Sequence, residues 1–215
     1  CDALLIVGSN DPWTEFYPPP GAARAVQVDI DEKKIGNRYP VEVGLAGDAA
    51  AALAALDTRL EHRPHGEWRS SVEAEVSRWR ILAADRAAVP AVPVNPERVV
   101  RELNGKLPAD AQVSIDVGSC VYWYARQLVL PPGVPAHLSG TLASMGCAIP
   151  YGLAAKLARP GRPVVALAGD GAMQMAGAAE LVTVAHRWQQ WQDPRFVVCV
   201  FNNRELAEVT WEQRE

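Results

Sequence analysis

The sequence predicts an α/β protein of two parallel-sheet, three-layer (αβα) domains. Short apolar runs that stop at turn residues recur along the chain, with helical-period segments between them. Midway, at residues 61–94, this alternation gives way to a charged helix and a proline-spaced stretch, which reads as a linker.

The elements follow in order. ALLIV at 3–7 reads as a buried strand, followed by the turn-rich GSNDP. AVQVDI at 25–30 is a second strand, closed by the polar turn Asp31-Glu32-Lys33-Lys34, and residues 41–45 suit a third. Asp48 caps the alanine-rich helix that ends this block, residues 1–60. The linker, 61–94, holds an amphipathic helix over roughly 66–86 and then extended backbone. Asn95 and Pro96 suit the cap and first position of a helix, and the second domain, 95–215, begins there.

In that domain AQVSID, 111–116, is a strand running into Val117-Gly118-Ser119, and VYWYARQL after it has helical spacing. A proline loop leads to SGTLASMGCAIPYGLAAKLA, small residues and then a helix with Pro150 in its first turn. PVVALA at 163–168 is a strand that stops at Gly169-Asp170-Gly171; a helix over 172–187 and a strand over 196–201 complete the set. Three parallel strands are expected here. The abrupt ends lead to the further expectation of a C-terminally incomplete domain in a piece of a longer protein.

Composition narrows the function. The 215 residues carry a net charge of −4 with 21% charged side chains, so no basic surface invites nucleic acid. No apolar run approaches the roughly 18 residues of a membrane span. Four cysteines without a CxxC pair read as reduced thiols in a cytoplasmic protein.

The chemistry sits in the last strand–turn–helix–strand unit. Such a crossover is right-handed and sets its strands parallel, about 4.8 Å apart, with both carboxyl ends on one edge. Asp170 and Asn203, remote in sequence, then face one crevice. A carboxylate and an amide oxygen are hard ligands, and the amides of Gly171 and Ala172 open the helix beside them. That combination suits a magnesium ion carrying a diphosphate. Asp170 alone reads more readily as a turn residue between glycines; Asn203 at the neighbouring strand end reverses that balance.

LAGDGAMQM followed by VVCVFNNRE resembles the diphosphate-binding signature of thiamine-diphosphate enzymes of the pyruvate oxidase, acetolactate synthase and pyruvate decarboxylase group. The similarity runs over nearly the whole chain and is nearest the pyruvate oxidase branch, in DVGSCVYWYAR and HLSGTLASMG. The resemblance implies a doubly wound thiamine-diphosphate-binding fold for residues 95–215. It implies magnesium held by the side chains of Asp170 and Asn203 and the main-chain carbonyl of Glu205. It places Gly118, Ser119, Gly169, Gly171 and Ala172 around the diphosphate. TLASMGCAIP resembles the segment that receives the aminopyrimidine: Ala143 would offer a carbonyl, with Ser144 beside it, and Met145 would wedge under the cofactor and bend it.

The first block resembles the second half of the family's central domain, which holds flavin adenine dinucleotide in pyruvate oxidases. FAD is therefore a candidate cofactor, with Asp29 and Asp31 placed to meet a ribose hydroxyl; the plainer reading makes them turn and cap residues. The family implies a 2-oxo acid substrate such as pyruvate and a homodimer or homotetramer with its site at the subunit interface. Two departures stand out. The loop at 187–195 is longer than the family pattern. No segment matches the domain whose glutamate activates the cofactor, so no catalytic residue is expected in this chain. An acetolactate synthase-type carboligase and a non-catalytic diphosphate-binding fragment remain as alternatives. Met145, His137, Cys120, Cys147 and Trp123 each also have a plain reading, as core, loop or packing residues.

Overall fold

The computed structural model describes residues 1–10, 16–61 and 64–214. The end of the GSNDP loop and part of the linker's start lie outside them. The chain divides into two compact units, Cys1–Arg69 and Ser70–Glu215.

The first unit is a three-stranded parallel sheet of β1 (Ala3–Val7), β2 (Arg24–Asp29) and β3 (Val43–Ala46), with β2 in the middle. The third strand starts two residues later than its sequence suggests, because Glu42 still pairs by its amide with Ala25, outside the regular ladder. A single 3₁₀ turn, Glu32–Lys34, links β2 to β3. Asp29 accepts from the Asp31 amide at 2.9 Å, and Asp31 from the Lys33 amide at 3.1 Å. Both acids therefore tie the turn. Ile6, Ala25 and Tyr39 form the buried core. The Tyr39 hydroxyl donates to the Pro19 carbonyl at 3.0 Å, and its ring meets Tyr17 edge-on. α1 (Ala49–Asp57) closes the unit, capped by the Asp48 carboxylate on the Ala51 amide at 2.9 Å.

α2 (Glu67–Ala88) is longer than the sequence predicts, and only Ala83 and Ala87 of its residues are buried. The amphipathic helix expected there is present, but Trp68, Val72, Val76 and Trp79, which share a face at helical spacing, are exposed, and burial is confined to its C-terminal part. In the second unit, α3 (Pro96–Arg101) begins at Asn95, whose side chain accepts from the Glu97 amide at 3.0 Å. Buried Glu97 takes the Arg86 guanidinium at 3.0 Å and the Gln127 amide at 2.6 Å, joining the end of α2 to α3 and to α4 (Ser119–Gln127).

The sheet of this unit has four parallel strands in the order β5-β4-β6-β7: β4 (Gln112–Ile115), β5 (Ala136–His137), β6 (Val164–Gly169) and β7 (Phe196–Phe201). The sequence gives three, since β5 is a two-residue pairing inside the proline loop with no periodicity to betray it. His137 lies on this edge strand.

Period-two alternation splits the sheet between two cores. Val113, Ile115, Leu167 and Phe201 face one side, with Val100 of α3 and Cys120 of α4. Ala166, Ala168, Phe196 and Val198 face the other, against Ala148 and Ile149 of α5 (Ala148–Ala158). A sheet covered on both faces is the doubly wound arrangement. α5 comes close because residue 152 is glycine: a Cβ there would lie 2.9 Å from Ser114 Oγ and 3.0 Å from Val164.

The helix expected over 172–187 is broken. α6 (Asp170–Ala172) runs into a π-turn, Met173–Gly177, before α7 (Glu180–Arg187). The Ala178 amide reaches back to the Met173 carbonyl at 2.9 Å, the wider loop of a π-turn. After α7, a 3₁₀ turn at Trp188–Gln190 begins the long loop, and Trp191 buries itself against Phe196 and the Lys156 ammonium. The chain ends in α8 (Ala207–Glu212).

Three outcomes are expected. Gly152→Ala overpacks the α5–sheet contact and should lower stability by about 1–3 kcal/mol in urea unfolding. Ser114→Ala should leave stability unchanged or raise it, because the buried Ser114 hydroxyl has no hydrogen-bond partner. Burial, helped by Asp116, pushes the Cys120 thiol up to about 12. Only the thiolate alkylates, so at pH 8 exposed Cys1 should react with iodoacetamide while Cys120 reacts only after unfolding, as peptide mapping would show.

Candidate functional site

The register of the second sheet builds the site. Gly169 pairs with Phe201, so β6 and β7 end level and Asp170 and Asn202 leave side by side. The loop then turns through Arg204, whose φ of 59° is left-handed. Non-glycine residues in that region carry strain and concentrate at functional loops. Here the strain is held by a bond across the strand ends: the Arg204 amide donates to Asp170 Oδ2 at 3.0 Å. The Asn203 side-chain oxygen accepts from the Glu205 amide at 3.2 Å.

A small cleft opens at this edge. Gly118, Ser119, Met145, Gly169, Asp170, Gly171, Ala172, Asn203 and Glu205 all line it. They come from three strand ends and one further loop. Ala143 and Ser144 do not line it; both are exposed, and Ala143 has a φ of 48°. His137 lines a different surface hollow, on the far side of β4.

Close approach at Gly171 shapes the floor of the cleft. A Cβ there would lie 2.5 Å from Leu206 Cδ2 and 3.7 Å from the Met145 methyl. Trp123 lines the cleft and packs on Phe201 with ring centroids 5.1 Å apart. Cys120 also lines it, as a buried thiol donating to the Asp116 carbonyl at 3.0 Å.

Sequence reasoning missed four residues here. Leu206 and Glu208 enter the cleft from the loop and first turn of α8. Their side chains follow from where α8 docks, with Trp211 against Tyr122 at 6.2 Å, and no local pattern encodes that docking. Tyr122 is itself raised by desolvation and by the Glu208 carboxylate. Asp116 is fully buried just behind the cleft; an acid where a strand ends, in the register position next to Ala168 and two residues short of Asp170, was a signal that could have found it. Arg204 reads as an ordinary loop cation, and its role lies in its amide.

Three of the residues lining the cleft, Asp170, Glu205 and Glu208, are acidic, and none of its described lining residues is Lys or Arg. Such a lining attracts a divalent cation and repels a bare diphosphate. The donor set is all oxygen, with backbone amides of Gly171 and Ala172 at the start of the next helix, so the residues fit a magnesium–diphosphate group.

Comparison with known proteins gives the family. Residues 116–215 match the model of the thiamine pyrophosphate enzyme C-terminal TPP binding domain, and residues 1–56 that of the thiamine pyrophosphate enzyme central domain. A Bacillus subtilis (strain 168) protein named for thiamine pyrophosphate, YdaP, is 31% identical over 100% of this chain and 36% of its own length. Pyruvate oxidase of Lactiplantibacillus plantarum is 35% identical over 81% of this chain and 29% of its own. Acetolactate synthase isozyme 2 large subunit of Escherichia coli (strain K12) is 29% identical over 99% and 37%. The chain thus spans about a third of the length of these relatives. With two domain models of one family matched in their family order on two parallel-sheet units, this chain belongs to the thiamine pyrophosphate enzymes.

Proposed function

We propose that this chain is the thiamine-diphosphate- and magnesium-binding portion of an enzyme that decarboxylates a 2-oxo acid such as pyruvate, in the manner of an oxidase. The observation that carries it is the Asp170 Oδ2 to Arg204 amide bond, which joins the two strand ends that the metal would bridge. The Asp170 and Asn203 side chains and the Glu205 carbonyl would hold the ion. The amides of Gly171 and Ala172, with Gly118 and Ser119, would hold the diphosphate, and Gly169 would keep the strand end clear. Met145 would support the rings from the cleft floor; Ala143 and Ser144 would have to move inward to take part.

When bound, the thiazolium ring supplies an electron sink for loss of carbon dioxide. This chain's residues bind and orient that group and shield it from water with Trp123, Met145 and Leu206. Residues 1–60 serve as part of a central domain, 61–94 as a connection and 95–215 as the diphosphate-binding domain. A second subunit completes the site, and the enzyme works in the cytoplasm on a small-molecule substrate without nucleic acid. FAD comes into the reading through the pyruvate oxidase relative; Asp29 and Asp31 each use one side-chain oxygen, Oδ1, to tie the turn. A carboligase reading has the support of relatives named acetolactate synthase.

Calorimetric titration of the intact protein tests this. Asp170→Ala should weaken magnesium-dependent binding of thiamine diphosphate by more than about 100-fold, and EDTA should abolish it; unchanged affinity refutes the metal assignment. Glu208→Gln removes one of the cleft's acidic charges that attract the cation and should weaken the same magnesium-dependent binding by about two- to fivefold, most clearly at low salt.

A further inference from the structure

We infer that Asp116 is a positioning residue that locks the Met145 turn against the diphosphate turn, so that one carboxylate sets the distance between the two halves of the cofactor site. The inference rests on the proposed reading of the cleft.

Asp116 follows β4 and is fully buried. Its carboxylate takes three backbone amides. Oδ1 accepts from Val117 at 2.9 Å and from Gly146 at 2.7 Å. Oδ2 accepts from Ala148, the first residue of α5, at 3.0 Å. Val117 leads directly into Gly118 and Ser119, which line the cleft; Gly146 directly follows Met145. The Asp116 amide itself donates to the Leu167 carbonyl at 2.8 Å, fixing the carboxylate to the sheet.

A buried carboxylate without a basic partner is costly unless amides surround it. A structural helix cap would need only the Ala148 bond. The bonds to Val117 and Gly146 do something more: they tie two loops on either side of the cleft to one atom. The Met145 turn is pressed from its other side as well. Gly146 has a φ of 91°, and a Cβ there would lie 2.7 Å from the Ala176 Cβ, in the π-turn that follows Gly171. Cys147 adds a thiol contact to the Ile115 carbonyl at 3.4 Å. The Met145 side chain, half-buried over Gly171, is therefore supported by a turn with almost no freedom to retreat.

The test compares two ligands in the intact full-length protein: magnesium thiamine diphosphate, which has rings for Met145 to support, and magnesium pyrophosphate, which has none. Asp116→Asn should weaken thiamine diphosphate about tenfold or more and leave pyrophosphate within about twofold. Met145→Ala should do the same, and the double variant should be no worse than the poorer single one, because both act on one turn. Hydrogen exchange at the Gly146 amide should speed in Asp116→Asn. Equal losses for both ligands, or additive losses in the double variant, would reduce Asp116 to a general structural residue and overturn the inference. Wild-type protein that binds neither ligand with magnesium would overturn the reading of the cleft itself. If Asp116→Asn does not fold, Gly146→Ala displaces the same turn with Asp116 intact; it should show the same ligand-selective loss, and an unselective one counts against the inference.

Discussion

The site depends on the level ending of two parallel strands. Because Gly169 pairs with Phe201, the backbones after β6 and β7 start from the same height, and the Asp170 carboxylate can reach the Arg204 amide. A shift of one residue in this register would turn every side chain of β7 to the opposite core. It would move Phe201 away from Trp123 and Ala166 away from Phe196. The packing that holds the two cores apart thus also fixes where the candidate ligands meet. Stability and site geometry are one constraint here.

That geometry gathers negative charge. Asp170, Glu205 and Glu208 share a cleft whose described lining holds no Lys or Arg, in a protein of net charge −4. An anionic cofactor gains nothing from such a place by itself. Under the proposed reading the arrangement would become favourable with a divalent ion held by Asp170, Asn203 and Glu205, and the amides of Gly171 and Ala172 would take phosphate charge. The strained Arg204 turn serves the same end. Its left-handed φ points the amide toward Asp170 and holds the carboxylate toward the cleft edge.

Much of this was legible in residues with one structural meaning. Gly169-Asp170-Gly171 ends an apolar run, and a chain that leaves a buried strand through glycine has few options; Asn203 reads the same way at the next strand end. Asn95-Pro96 likewise admits little but a helix start, and its cap bond is present. What was not legible is conferred by neighbours. The π-turn lies in MQMAG, whose small residues fit a helix equally well, and Gly177 is chosen for its closeness to Met173 and Ile149. β5 is too short for any period. Leu206 and Glu208 reach the cleft only because Trp211 finds Tyr122. Ala143 and Ser144 were placed by resemblance, and the structure leaves them outside the cleft lining.

Asp116 shows why burial and strand position need to be read together. By residue type it is a turn acid like Asp29, whose carboxylate also accepts one nearby amide. The difference is that Asp116 takes amides from a segment about thirty positions onward, and such reach costs loop-closure entropy that grows only slowly with loop length. The contact is therefore thermodynamically cheap to form yet strict in geometry, since three N–H groups must converge on two oxygens. A bent cofactor, as proposed for this site, would need support that does not yield, and flexible apolar residues such as methionine do not give it alone. The rigidity has to come from the backbone beneath Met145. In this chain it comes from a carboxylate on one side and a glycine–alanine contact, Gly146 on Ala176, on the other.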